Sequence, residues 1–200
     1  MFNHTVYVDI MHLDEKGKGE PVLHIIDAAT SFQAARFLKS FSVKDTWDTF
    51  RLAWIDVYVG PPEIIRHDAG RNFDSSEFRQ CAASMSIITE CVPVEAHNSV
   101  GLVERYHAPL RRAFEIISSE LSESNIAKEI RLSMATKAVN DTAGYNGVIP
   151  TLLLFGIIPR ITSADAPSLS TIERSKAINA AMSKVAKLKA TRNLIDALHI

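Results

Sequence analysis

The stretch EIIRHDAGRNF, residues 63–73, decides the fold. Ile64 and Ile65 read as a short strand, and Gly70 and Asn72 break the pattern before Phe73. Asp68 therefore stands where a strand stops and the backbone must bend. A carboxylate in such a turn is ordinarily a solvated turn residue or a helix cap. Whether it is more depends on other acids converging on it, and so on the elements to either side.

Toward the N-terminus, TVYVDIMHL (5–13) has the β-branched and aromatic content of a strand. DEKGKGEP (14–21) is a polar turn, and VLHIIDA (22–28) is a second strand that makes a hairpin with the first. SFQAARFLKSF (31–41) is expected as a third. Trp47, Phe50, Trp54 and Val57 then recur at helical spacing over 45–59, and Gly60-Pro61-Pro62 end that helix. Toward the C-terminus, 74–85 is predicted helical with Asp74 or Ser75 as its cap, SIITECVPV (86–94) a strand, and EAHNSVG (95–101) a loop. Helices are predicted over 101–122 and 125–146. A further helix or helix pair over 171–199 follows the linker RITSADAPS (160–168). This order predicts an α/β fold: a mixed five-stranded sheet flanked by helices, with a C-terminal helical extension.

Composition is ordinary for a globular chain, with 46% hydrophobic and 22% charged residues among 200. No apolar run approaches the roughly 20 residues a membrane helix needs, so no membrane partner is expected. The N-terminus has no basic region ahead of an apolar stretch, so no signal peptide is expected. Cys81 and Cys91 are too few for a disulfide framework or a zinc site and are expected to be buried free thiols. The net charge of −1 does not advertise a nucleic-acid binder. Its distribution is more informative: residues 1–100 hold 9 basic against 14 acidic residues (−5), and residues 101–200 hold 13 against 9 (+4).

Three acids sit where chemistry has a use for them. Asp9 lies within an apolar strand, where a carboxylate must be paired, exposed or ligating a metal. Asp68 ends the strand after the first long helix. Glu104 lies in the first turn of a predicted helix, where it also suits the macrodipole. On that helix Val103, Tyr106, Leu110, Phe114 and Ile117 form the core stripe, and Glu104, His107 and Arg111 fall on the stripe beside it. If the three carboxylates converge, they make a hard-oxygen site for magnesium or manganese. Spacing alone does not establish that convergence.

The run VYVDIMHL, VLHIIDAATSFQAARFL, PPEIIRHDAGRNFDSSEF, VEAHNSVGLVERYHAPLRR and PTLLLFGIIPR resembles the catalytic core of retroviral and LTR-retrotransposon integrases, in the ribonuclease H-like superfamily. The resemblance covers roughly residues 5–160. It rests on an acid on the first strand, a second acid in a D-x-G-x-x-F turn, and a glutamate in a G-x-x-E-R helix. Between Asp68 and Glu104 lie 104 − 68 − 1 = 35 residues.

This resemblance implies a catalytic core over 1–160, with a linker and basic amphipathic helical extension over 161–200. It implies Asp9, Asp68 and Glu104 as the catalytic, metal-binding triad, with Mg2+ or Mn2+ as cofactor. It implies metal-dependent DNA 3′-end processing and strand transfer in retrotransposon integration, DNA as partner, a homo-oligomer and a nuclear location. His107, Arg111 and Arg105 are the candidate nucleic-acid contacts, Asp27 is read as a structural turn cap, and His67 as strand packing. The chain departs from the pattern in placing Asn98 three residues before Gly101, and no zinc module precedes Asp9. The alternatives are a catalytically silent, transposon-derived nucleic-acid-binding module, or a ribonuclease H-type nuclease.

Overall fold

The computed structural model describes residues 1–13, 19–57, 60–92, 97–122, 125–142 and 147–157, with side chains in the fourth of these segments described from 105 onward. The chain divides into two units, Met1–Val139 and Asn140–Ile200. The sheet lies in the first.

Strands β1 (Thr5–His12), β2 (Pro21–Asp27) and β3 (Gln33–Phe37) form an antiparallel meander. β4 (Ile64–His67) and β5 (Ile88–Cys91) add in parallel on the other side of β1, giving the order β3-β2-β1-β4-β5. The two kinds of pairing follow from the connections: hairpins join the first three strands, whereas a helix separates β3 from β4 and another separates β4 from β5.

α1 (Val43–Phe50) starts where the Ser42 hydroxyl accepts the Asp45 N–H at 3.1 Å. The helix predicted to run on regularly from there instead continues as a π-helical turn, Arg51–Ile55, in which Asp56 N–H reaches the Arg51 carbonyl. This turn holds Trp54 fully buried, with its Nε1–H donating to Asn3 Oδ1 at 2.8 Å. Asn3, in a left-handed conformation (φ 60°), also donates to the carbonyls of Gly60 and Pro61, so it ties the start of β1 to the entry of β4. α2 (Ser76–Ser84) is capped by Ser75, one of the two predicted caps.

α3 (His97–Glu120) begins inside the stretch expected as a loop: residues 97–101 are helical. α4 (Lys128–Asn140) is shorter at both ends than expected. In the second unit α5 (Pro150–Phe155), where the sequence predicts no element, starts with proline at its first position. The predicted helix over 171–199 lies outside the described residues, and with it the proposed extension.

Alternation assigns the two faces of the sheet. One carries Val8, Ile65 and His67 and meets an aromatic layer in which Phe78 of α2 packs against Trp47, Phe73 and His67. The other carries Tyr7, Met11, Val22 and Ile26 and packs on Tyr106 and Leu110 of α3 and Leu132 of α4. Sheet and helices thus form a three-layer arrangement, with α1 and α2 on one side and α3 and α4 on the other. Cys81 is half-buried and Cys91 exposed, so neither thiol is buried as expected. Among the described residues no helix is long and apolar enough to cross a membrane.

Candidate active site

β1 and β4 run parallel with Val8 opposite His67. Asp9 and Asp68, each one residue further on, therefore come side by side on neighbouring strands and share a face. That face is the one covered by α3.

Asp68 is held by its turn. Its Oδ1 accepts the Gly70 N–H at 3.1 Å, and the carbonyl of Gly70 accepts the N–H groups of Phe73 and Asp74 at 3.0 and 2.9 Å. Phe73 is 2% exposed and stacks on His67 with ring centroids 5.6 Å apart, so the turn is pinned to the aromatic layer behind it. A Cβ on Gly70 would lie 2.9 Å from Asp68 Oδ1 and 3.1 Å from Asn72 Oδ1. A side chain at position 70 would therefore push the Asp68 carboxylate aside. His67 is buried on the opposite face from Asp68, and its Nδ1 donates to the Asp68 carbonyl at 2.7 Å.

Asp9 Oδ1 accepts its neighbour's N–H, from Ile10, at 2.7 Å. Its Oδ2 lies 3.6 Å from His107 Nε2. Burial first, and the Arg111 guanidinium second, push the His107 pKa down from 6.5 to about 4. The ring is therefore neutral at pH 7 and makes no ion pair with Asp9 at that pH. Position 104 stands three residues ahead of His107, one turn toward the start of α3. The side chain of Glu104 lies outside the described residues.

Below the two aspartates, Arg66 donates to Glu90 Oε2 at 2.6 Å and to the Tyr7 hydroxyl at 3.3 Å. Tyr7 and Glu90 both face Arg66 in the strand register, so the three form a ladder across β1, β4 and β5. Of the candidate nucleic-acid contacts, Arg105 is exposed. Arg111 is turned inward to donate to the His12 carbonyl at 3.1 Å, and the His107 side chain is only 14% exposed. Asp27 is fully buried and caps the turn after β2, accepting the N–H groups of Asn3, Ala29 and Thr30 and the Thr30 hydroxyl at 2.7–3.0 Å.

Two residues escaped the sequence reading. His24 of β2 stands opposite Asp9 and is fully buried; its Nε2 lies 2.9 Å from Oε1 of Gln33, itself 1% exposed. Burial, and then His107, press the His24 pKa down to about 3. A histidine in the middle of VLHIID was the available signal.

Two hard carboxylates on one face suit a magnesium or manganese ion. Among the described residues no group of three or more His, Cys, Asp and Glu is gathered to hold a metal. Asp9 and Asp68 form a pair that needs a further ligand.

No protein-family model and no curated protein sequence matches the chain. Solved structures do. The catalytic core domain of BIV integrase superposes with a TM-score of 0.62 at 16% identity, over 76% of this chain and 94% of that one. The HTLV-2 integrase core in complex with magnesium, in a trimeric form, gives 0.60 at 20%, over 74% and 93%. A chain of the simian T-cell lymphotropic virus intasome gives 0.64 at 22%, over 84% of this chain and 60% of that one. The fold is therefore that of retroviral integrase catalytic cores, ribonuclease H-like, with the mixed five-stranded sheet expected from the sequence.

Proposed function

We propose that this chain is an integrase-like polynucleotidyl transferase core that processes DNA 3′ ends and joins them to target DNA, as in retrotransposon integration. The observation that carries the reading is the β1/β4 register, which sets Asp9 and Asp68 side by side on the face that α3 covers. Glu104, one turn ahead of the residue that meets Asp9, is the third member of the proposed triad. The likeness to integrase cores, one of them complexed with magnesium, supports the same reading.

Asp9, Asp68 and Glu104 would hold Mg2+ or Mn2+, which when bound supplies Lewis-acid assistance to phosphodiester attack. One oxygen of each of these two aspartates, Asp9 and Asp68, accepts a backbone N–H, from Ile10 or Gly70, which orients the carboxylate. Arg105, exposed on α3, is the proposed phosphate contact; such contacts position the backbone without reading sequence. His107 and Arg111, turned inward as they are, serve the site from behind. DNA as substrate implies a nuclear location, and the dimeric and trimeric HTLV-2 cores support a homo-oligomer here.

The test is strand transfer and nicking of labelled DNA ends in manganese. Wild type should nick and join, and Asp68→Asn should lose roughly 100-fold or more. Equal activity in the two proteins refutes the assignment. Salt-sensitive DNA binding with no activity in either would identify a silent binding module instead.

A further inference from the structure

Asp9 has a carboxylate neighbour on one side of its strand and an imidazole on the other. Register puts His24 of β2 directly opposite it, on the same face of the sheet. Facing residues of an antiparallel pair hold their Cβ atoms about 5 Å apart. His24 is 0% and Gln33 1% exposed, at sheet positions where apolar side chains would pack without any desolvation penalty. The two polar groups are matched to each other through the 2.9 Å contact between Nε2 and Oε1. That contact makes Nε2 the protonated nitrogen of His24 and fixes its ring plane.

The ring so fixed touches a second one. His107 descends from α3 with its centroid 5.3 Å from that of His24 and the planes 40° apart. Its other edge faces Asp9, with Nε2 3.6 Å from Oδ2. Asp9 Oδ1 accepts the Ile10 N–H, and Oδ2 is the oxygen that His107 faces. A closing movement of about 0.6 Å brings this pair within ordinary N–H···O distance. A carboxylate oxygen has two lone pairs, so it accepts a hydrogen bond on one side and still binds a cation on the other.

We propose that Gln33, His24 and His107 form a buried positioning relay: Gln33 sets the His24 ring, His24 sets the His107 ring, and His107 aims Asp9 Oδ2 for a divalent cation. The inference rests on the metal-site reading of Asp9 above. None of the three is a catalytic residue; they act through Asp9. The relay affects metal affinity and leaves DNA affinity alone, because no member is on the exposed surface.

The experiment measures Mn2+ binding directly by electron paramagnetic resonance, without DNA, alongside strand transfer and DNA affinity. The double variant His24→Leu/Gln33→Leu removes both partners together, which avoids stranding one buried polar group. It should bind Mn2+ roughly 10–100-fold more weakly, the range typical of losing a group that orients a metal ligand. His107→Leu should weaken binding to the same degree, and His107→Gln, which keeps an N–H at similar reach, should restore it to within about threefold. Nitrogen NMR of the wild type should show His24 protonated at Nε2. Wild-type Mn2+ affinity in the double variant and in His107→Leu overturns the relay. If the double variant does not fold, His107→Leu and its glutamine rescue decide, since that side chain is at the rim of the core. Asp9→Asn separates the two levels of the argument. If it binds Mn2+ like wild type, the metal-site reading falls and the relay with it. If it abolishes binding while the relay variants do not, only the relay falls.

Discussion

Acidification should weaken the folded protein through His24 in a way that can be isolated. The imidazole is fully buried, and burial, with the His107 ring adding to it, brings its pKa from 6.5 down to about 3 against a smaller opposing pull from Gln33. The folded pKa is below the unfolded one, so as pH falls the unfolded chain takes up the proton first. The contribution to stability is complete above about pH 6.5 and is lost progressively down to about pH 3. At about pH 5 the unfolded imidazole is some 1.5 units past its midpoint while the folded one is still neutral. At about 1.36 kcal/mol per unit, this costs about 2 kcal/mol. For a domain stable by roughly 5–15 kcal/mol that is a large fraction. His107 loses its contribution over the upper part of the same window, since burial and then Arg111 bring it to about 4, but the two rings repel each other's protons, so their effects do not simply add.

The assay is urea unfolding followed by the fluorescence of the buried Trp47 and Trp54, at about pH 7.5 and about pH 5. The comparison protein is His24→Gln, which keeps an amide for Gln33 and cannot titrate. Carboxylates and the remaining histidines titrate in both proteins and largely cancel. Wild type should lose about 2 kcal/mol more than the variant between the two pH values. An equal loss in both would mean that His24 carries its proton inside the fold, and the placement of the buried pair would be wrong.

Gly70→Ala should leave the fold within about 1 kcal/mol of wild type, because the atom 2.9 Å from the new Cβ is the tip of the Asp68 side chain, yet it should lower strand transfer by roughly 10-fold or more by turning that carboxylate. Unchanged activity would show that the position of Asp68 does not matter. Asp27→Ala should destabilise by roughly 2–4 kcal/mol, since four donors lose a buried carboxylate, and thermal unfolding reads this directly. Phe78→Ala, at the centre of the aromatic layer, should cost about 3–5 kcal/mol in urea unfolding; a loss under about 1 kcal/mol would contradict the packing of Trp47, Phe73 and His67 around it.

The parts of the fold legible in the sequence are those set by short-range periodicity. The hairpin of β1 and β2 follows from two β-rich runs around a polar turn, and the α3 stripe of Tyr106, Leu110, Phe114 and Ile117 is the face that packs in the core. What escaped depends on partners far away in the chain. The π-turn of Arg51–Ile55 suits Trp54 to Asn3, a pairing 51 residues apart that no local pattern announces. EAHNSVG (95–101) is expected as a loop, whereas α3 starts at His97 and runs through Asn98 and Gly101.

The candidate site divides along the same line. Asp68 could be placed at a strand end from Gly70 and Phe73 alone, because a turn is a local event. Its adjacency to Asp9 required the β1/β4 register, and a slip of one residue would have sent the two carboxylates to opposite faces. His24 is the sharper case. In an isolated strand a histidine among Val22, Leu23, Ile25 and Ile26 is assigned by default to the wet side. Only the pairing of β1 with β2 puts it beside Asp9, and only α3 crossing above closes that side to water. The same crossing turns the His107 ring toward Asp9, whereas helical spacing alone sets it at the edge of the core. A polar residue in a strand can be weighed from sequence, but its role is fixed by what the register sets next to it.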